Sequence, residues 1–255
     1  MVDDSEGGLS RFEVRRVAQA GRAGFDDALP CSMCSVRNLT ICAALDTGEL
    51  HALADIVTNS QLDPGATLFE EGQAAESVFN VTSGTVKVYK LMPDGRRQVT
   101  GFLTTGDFLG LVSEGAYAYN AEAVTRTWLC RFPRAKLDGL LDRYPKMERR
   151  LLAAAGHELA AAQEQMLLLG RKSALEKIAS FLFRMSERAR NRGLKANPIT
   201  LAMTRHDMAD YLGLTTETVS RIFTQLRGRD LIALQPGGKL EILDMAALSH
   251  LAKGE

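Results

Sequence analysis

Between about residues 61 and 132, apolar and polar positions alternate in short runs. TVKVYKL, at 85–91, alternates as a half-buried strand does, and comparable runs are ATLFEEG, SVFNVTSG, GDFLGL and AEAVTRTWLCRF. Turn residues separate these runs, at Gly65, Gly72, Gly84, Gly95, Gly106 and Gly110. Closely spaced turns with no helix between them predict an antiparallel barrel or jelly roll.

The pattern changes to a helical period after Pro145. The stretch KMERRLLAAAGHELAAAQEQMLLLGRK consists mostly of strong helix formers and contains no proline. Apolar residues recur along it at alternating steps of three and four, at Leu152, Ala155, Leu159, Ala162 and Met166. So narrow a stripe is typical of a coiled-coil seam, and we predict a parallel homodimer. The alternative is a helix packed inside the core of one subunit.

The last third of the chain predicts a helix-turn-helix followed by a wing. SALEKIASFLFRMSERA is an amphipathic helix, and the next segment contains two shorter helices. Thr204 is a suitable N-cap for the first, Gly213 permits the turn, and Thr215 is a suitable N-cap for the second, which begins at Thr216. LIAL and KLEIL then flank the turn QPGG, which predicts a β-hairpin.

Composition and charge indicate a globular protein that meets nucleic acid. The 255 residues have a formal net charge of zero, and there is no run of about 18 apolar residues, so we expect no membrane span and a cytoplasmic location. The charge is uneven, because residues 171–234 hold 12 Lys or Arg against 6 Asp or Glu. A local excess of positive charge around a helix-turn-helix predicts binding to double-stranded DNA.

The start of the second short helix supplies the candidate DNA-reading residues. In a helix-turn-helix these first turns enter the major groove, and here they carry Thr216, Glu217, Ser220 and Arg221. Glu217 can accept a hydrogen bond from cytosine, and Arg221 can bind guanine or a phosphate. Ser220 permits close approach, and Thr216 suits a backbone contact. The alternative is that Glu217 and Arg221, four residues apart, only pair with each other on a solvated face.

Three of the four cysteines lie close together, at Cys31, Cys34 and Cys42, and the fourth is Cys130. In a cytoplasmic protein, clustered thiols are more often metal ligands or redox sensors than disulfides. A lone cysteine between Trp128 and Phe132 is otherwise expected to be a small buried apolar residue. The residues alone therefore leave iron-sulfur, zinc and unligated thiols open.

The order of these parts resembles the CRP/FNR family of bacterial transcription regulators from Cys31 to about Ala247. MLLLGRKSALEKIASFL and MADYLGLTTETVSR are most similar to the oxygen-responsive FNR, FixK and FnrL branch. The resemblance implies an α+β fold with a cyclic-nucleotide-binding-like β jelly roll, a long dimerisation helix and a C-terminal winged helix-turn-helix. The domains expected are a disordered tail (1–25), a cysteine-rich arm with a lead-in helix (26–60), the sensor jelly roll (61–144), the dimerisation helix (145–170) and the winged helix-turn-helix (171–255).

The resemblance also implies a cofactor and a mode of DNA recognition. Proteins of this branch hold an oxygen-labile 4Fe-4S cluster through four cysteines, which match Cys31, Cys34, Cys42 and Cys130; zinc is the alternative. Glu217, Ser220 and Arg221 match residues that recognise inverted repeats of the TTGAT type. Tyr119 and Asn120 stand where cAMP pockets of the family have Arg and Ser, so cAMP is not expected as a ligand.

The resemblance implies RNA polymerase as a further partner of an activator. The candidate contact is the turn PDGRR, which comprises Pro93, Asp94, Gly95, Arg96 and Arg97. Ala162 departs from the family, whose seam can carry an acidic residue at this position. An apolar seam is expected to hold the dimer without its cofactor more tightly. No catalytic motif is present, and we expect no enzyme. The remaining alternatives are a regulator gated by zinc, thiol redox or another ligand, and a thiol redox enzyme.

Overall fold

The computed structural model describes residues 31–112 and 115–255, so the tail predicted at 1–25 lies outside the described residues. The described chain begins with an arm of two 3₁₀ helices, Arg37–Leu39 and Ile41–Ala44, followed by helix α1, Leu50–Ala54. Ile41, Leu45, Leu50 and Leu53 are buried in a small core that also contains Phe132. The arm is therefore packed onto the following domain by its own apolar residues.

That domain is the predicted jelly roll, built from two antiparallel four-stranded sheets. One sheet has the order β1 (Thr58–Leu62), β8 (Thr127–Pro133), β3 (Ser77–Ser83), β6 (Phe108–Leu109). The other has the order β2 (Thr67–Phe69), β7 (Asn120–Ala123), β4 (Thr85–Leu91), β5 (Arg97–Thr104). The alternating strands direct Val81, Val86, Leu103 and Leu129 into the shared core.

Two helices lead out of the barrel and a third begins the last domain. These are α2 (Arg134–Arg143), α3 (Pro145–Arg171) and α4 (Ala174–Asn191). Met147 and Leu168, near the two ends of α3, are buried by the chain's own domains. A capping box between Ser173 and Glu176 starts α4. The long helix predicted after Pro145 is thus present, and α2 was not predicted.

The C-terminal domain is the predicted winged helix-turn-helix. Its elements are β9 (Ile199–Thr200), α5 (Arg205–Leu212), α6 (Thr216–Gly228), β10 (Ile232–Gln235), β11 (Lys239–Ile242) and α7 (Met245–Lys253). Thr204 and Thr215 cap α5 and α6 as predicted, and Gly213 is left-handed at φ 61° and ψ 46°. Helix α7 and strand β9 were not predicted; α7 packs on α4. The α+β fold class predicted from the sequence is confirmed.

The barrel and the C-terminal domain contact each other through both apolar and charged groups. Phe102 of β5 packs against Phe181 and Tyr211, at ring centroid distances of 6.3 and 5.3 Å. On one side, Arg97 Nη2 lies 2.8 Å from Asp207 Oδ1 and 2.7 Å from Asp210 Oδ2. On the other, the buried Asp107 accepts hydrogen bonds from two arginines of the α4 region, Arg188 and Arg192.

Candidate functional site

The loop that carries the first three cysteines is fixed by a short hydrogen-bonded turn. Thr40 Oγ1 donates to the Arg37 carbonyl at 3.0 Å and accepts from the Cys42 amide at 3.3 Å, which caps the second 3₁₀ helix. Gly106 of the barrel lies against this loop, because a Cβ added there would come within 2.8 Å of Leu39 Cβ. Loop and barrel are therefore in close contact beside the cysteines.

Cys130 reaches the same place from the barrel. It lies on β8, where the strand register places it opposite Asn59 of β1 and Asn80 of β3. Cys130 Sγ donates to Asn59 Oδ1 at 3.5 Å, and Asn80 Nδ2 donates to Cys42 Sγ at 3.8 Å. The two asparagines thus contact one cysteine of the loop and the cysteine of the barrel.

All four cysteines line one cavity of about 290 Å³ between the loop and the barrel. The sequence separates Cys130 from the others by almost ninety residues, and the fold brings them together. Within residues 31–112 and 115–255, however, no three Cys, His, Asp or Glu side chains are grouped closely enough to hold a single metal ion. The four thiols that line this cavity are the ligand type that both iron-sulfur clusters and structural zinc require.

Burial disfavours the thiolate form of Cys31, Cys42 and Cys130. It raises the pKa of Cys42 to about 11, against a hydrogen bond with Thr40 that lowers it. Burial and the other three thiols raise the pKa of Cys130 to about 12. Burial and Cys34 also raise the pKa of Cys31, which the nearby Arg37 lowers. Thiolates at these three positions therefore need positive charge beside them, as bound iron would provide.

Two buried polar atoms belong to residues that line the cavity and could interact with a bound group. Arg37 and Asn80 both line the cavity, and among the described residues Arg37 Nε and Asn80 Oδ1 have no hydrogen-bond partner. The Arg37 guanidinium is held by a hydrogen bond from Nη2 to the Leu45 carbonyl. A half-buried cation that lines the same cavity as the four cysteines is suited to an anionic group, so the residues present fit an iron-sulfur cluster.

Helix α6 has one buried and one exposed face. Val219, Ile222, Phe223 and Leu226 pack into the domain core. Glu217, Ser220 and Arg221 lie on the exposed face, and Thr216 is half-buried beside them. The backbone at the helix start and Thr215 lower the pKa of the Glu217 carboxyl, which keeps it ionised. Ser220 Oγ donates to the Thr216 carbonyl at 2.9 Å, so its methylene faces outward with little bulk.

The predicted seam of α3 is not covered by this chain. Leu152, Leu159 and Met166 are 73%, 61% and 64% exposed, and Ala155 and Ala162 are exposed as well. The side of the helix that the chain does bury is a different one, which carries Met147, Gln165 and Leu168. The alternative of a helix buried within one subunit thus does not describe the middle of α3.

The turn PDGRR divides into two parts. Pro93, Asp94, Gly95 and Arg96 are exposed at the tip of the β4–β5 hairpin, where Arg96 Nε pairs with Asp94 Oδ2 at 2.7 Å. Arg97 is directed inward to Asp207 and Asp210, as described above. Only the first four residues therefore present a free surface for a partner.

Tyr119 and Asn120, which stand where cAMP pockets of the family have Arg and Ser, form hydrogen bonds within the barrel. The Tyr119 hydroxyl accepts a hydrogen bond from the Gly110 amide at 3.2 Å. The Asn120 side chain accepts from the Glu71 amide at 3.1 Å and donates to the Tyr89 carbonyl at 3.4 Å. These side chains stabilise the barrel, and Asp107 is bound by two arginines.

Sequence reasoning did not identify Arg37, Asn59, Asn80 or Arg150 as site residues. Arg150 lies on α3 and donates hydrogen bonds to the cysteine loop. None of the four belongs to a local motif, and the strand register or the packing of α3 is what places them. Only the cysteine spacing pointed to this part of the chain.

Comparison with known families agrees with the two-domain architecture. Residues 60–144 match the cyclic nucleotide-binding domain family, and residues 176–251 match the Crp-like helix-turn-helix domain family. Within the described residues, no helix has the length and apolarity needed to cross a bilayer.

Individual relatives match over most of their length. The chain is 40% identical to the nitrogen fixation regulation protein FixK of Bradyrhizobium diazoefficiens, over 87% of this chain and 93% of that protein. It is 32% identical to the fumarate and nitrate reduction regulatory protein of Escherichia coli, over 94% of each. The solved structure of FixK2 from Bradyrhizobium japonicum superposes with a TM-score of 0.72 at 35% identity, covering 77% of this chain and 97% of that one.

Proposed function

The chain belongs to the CRP/FNR family of DNA-binding transcriptional regulators, which are not enzymes, and on that premise we propose that it is an oxygen-responsive activator. It binds inverted-repeat DNA as a homodimer under anaerobic conditions, while its four cysteines hold a 4Fe-4S cluster. The observation that carries this proposal is the single cavity lined by Cys31, Cys34, Cys42 and Cys130.

DNA recognition is assigned to the exposed face of α6. Glu217 accepts from cytosine, Arg221 donates to guanine or phosphate, Ser220 allows close approach and Thr216 contacts the backbone. The complete match of Glu217, Ser220 and Arg221 to the family pattern supports half-sites of the TTGAT type. The exposure of these side chains in the folded domain leaves them free to enter a major groove.

The cysteines join two parts of the chain that are distant in sequence. When bound, a 4Fe-4S cluster supplies an oxygen-labile covalent connection between the loop and the barrel. Cys31, Cys34 and Cys42 bind it from the loop, and Cys130 binds it from β8. Arg37 places positive charge near Cys31, and Asn80 donates to the Cys42 sulfur. The surrounding apolar core of Leu53 and Phe132 limits access of water.

Dimerisation is assigned to the exposed seam of α3. Pairing of two copies about a two-fold axis buries Leu152, Leu159 and Met166 and sets two recognition helices about one turn of DNA apart. Ala162 adds no charge to this seam, which favours a dimer that persists in part when the cluster is lost. Oxygen therefore shifts the balance of monomer and dimer and does not switch it completely.

Two further assignments complete the proposal. The tip Pro93 to Arg96 is the candidate contact with RNA polymerase, because it is exposed on the hairpin. The cytoplasm is the compartment that a DNA-binding regulator with reduced thiols requires. The second candidate function is a regulator gated by zinc, for which two close pairs of cysteines are more typical than a triplet with one distant partner.

Purification without oxygen tests the cofactor assignment. We expect a brown protein with iron and acid-labile sulfide at about four of each per chain, and loss of the visible absorption on exposure to air. A colourless protein with stoichiometric zinc would overturn the cluster assignment and support the zinc-gated regulator.

A further inference from the structure

The first turns of helix α3 touch the cysteine loop through one arginine. Arg150 Nε donates to the Thr40 carbonyl at 2.7 Å, and Arg150 Nη2 donates to the Asn38 carbonyl at 2.7 Å. The guanidinium thus spans two backbone acceptors that lie two residues apart, in the segment between Cys34 and Cys42. Its planar fork holds two acceptors only at one mutual spacing.

The loop segment that Arg150 grips is the one that positions a cysteine. Thr40, whose carbonyl is one acceptor, also caps the turn at Cys42 through its hydroxyl. A change in the positions of Cys34 and Cys42 therefore alters the spacing of the two carbonyls. Such a change would break one or both hydrogen bonds of Arg150.

Helix α3 also contacts residues of the arm that follow Thr40. Met147 is buried among Ile41, Leu45 and Leu50, and Lys146 pairs with Glu49 and with Asp46, 3.6 Å away. All of these partners follow Thr40 in the chain. They hold the start of the helix on the arm without contacting the carbonyls of Asn38 and Thr40. Arg150, in contrast, contacts the segment before Ile41. On the helix it lies two residues before Leu152, the first residue of the seam.

We propose that Arg150 is a positioning residue that couples the conformation of the cysteine loop to the dimerisation helix. The inference rests on the proposed function, because it assigns the coupling to a loop that ligation by Cys34 and Cys42 holds in shape. The coupling is reciprocal: a ligated loop stabilises the position of α3 that pairs with a second copy, and pairing stabilises the ligated loop.

The test compares dimerisation with and without the cofactor in matched variants. Sedimentation equilibrium gives the dimer dissociation constant of anaerobic protein and of the same protein after air, and visible absorption gives its cluster content. For the unmodified chain we expect the ratio of the two constants to be about 5 to 150, the usual range of allosteric coupling. Arg150→Gln should contain the cluster but reduce the ratio at least about threefold, and its absorption should decay faster in air.

Two further variants make the result specific. Arg149→Gln removes an adjacent exposed arginine that makes neither hydrogen bond, and it should keep the full ratio. Arg150→Lys keeps the charge but cannot bridge two carbonyls, so it should behave as Arg150→Gln. A brown Arg150→Gln protein with the unmodified ratio, or full coupling in Arg150→Lys, would overturn the inference. Failure of the proposed function is distinguishable, since the unmodified chain would then be colourless.

Discussion

The Lys87 ammonium of strand β4 lies 3.1 Å from the Asp207 carboxylate of helix α5, and their side chains are only 9% and 7% exposed. The pair joins the barrel to the helix-turn-helix, 120 residues further along the chain. Lys87 also pairs with Glu122 at 2.8 Å, and Arg97 with Asp207 at 2.8 Å. Asp207 therefore serves two cations of the barrel, and it forms the capping box of α5 with Thr204.

Replacing Asp207 should destabilise the protein strongly. Asp207→Ala leaves Lys87 buried with one partner fewer and removes the carboxylate half of the capping box of α5, so we expect a loss of about 3–5 kcal/mol in the free energy of unfolding. Urea denaturation measures it. The control is Asp94→Ala, whose carboxylate pairs with Arg96 in an exposed turn and whose loss should change the stability little. Equal stability of the two variants would show that the interdomain pair contributes little.

The same carboxylate should make stability fall in acid. Burial raises the pKa of Asp207, but hydrogen bonds from Thr204 and pairing with Lys87 outweigh it and bring the pKa below the ordinary value of 3.8. The native state therefore binds the proton less readily than the unfolded chain, and the stabilisation present above pH 3.8 is lost as pH falls through the lowered pKa. Urea midpoints of the unmodified chain and of Asp207→Asn should converge below pH 3.8; a constant difference would refute this role.

Recognition of bases by α6 is testable on two kinds of DNA. Arg221→Ala should cost about 1–3 kcal/mol on a duplex with the inverted repeat and much less on a random duplex. The control is Arg227→Ala, in the exposed last turn of the same helix. This change should weaken binding to both duplexes by a similar small factor. Fluorescence anisotropy at one fixed salt concentration gives the constants. An equal loss of binding free energy on both duplexes for Arg221→Ala would show that Arg221 contacts only phosphate.

The dimer seam can be tested without disturbing the fold of one chain. Leu159→Glu places a charge where the single chain leaves the side chain 61% exposed, so folding should be unaffected, while dimerisation should weaken about tenfold or more. Ala160→Glu adds the same charge one residue on, away from both the seam and the packed face, and should dimerise normally. Light scattering after size exclusion distinguishes these states. A normal Leu159→Glu dimer would place the interface elsewhere.

Local patterns predicted those elements that local forces determine. Helix α6, its cap at Thr215 and the turn at Gly213 follow from residues within a few positions of each other, and all three were predicted. Strand alternation likewise predicted the jelly roll. Helix α7 was not predicted because its apolar residues are buried by packing on α4, which is distant in sequence. The two-residue strand β9 has too little pattern to detect.

The four cysteines of the candidate site were predictable, but the residues around them were not. The spacing of Cys31, Cys34 and Cys42 drew attention to the loop, whereas the inclusion of Cys130 came from the family resemblance. Asn80 faces the cavity because of strand register. Arg150 reaches the loop because of how α3 packs on the arm. Neither position could be found by spacing, because long-range packing decides it.

DNA binding before and after exposure to air is the measurement that tests whether oxygen controls this regulator through its cysteines. A duplex carrying an inverted repeat of TTGAT is titrated anaerobically with the unmodified chain, with the same protein after air, and with Cys34→Ala. We expect tight anaerobic binding that weakens about 5- to 150-fold in air, and a Cys34→Ala protein that binds weakly in both conditions but still binds random DNA. The same affinity in all three samples would contradict it.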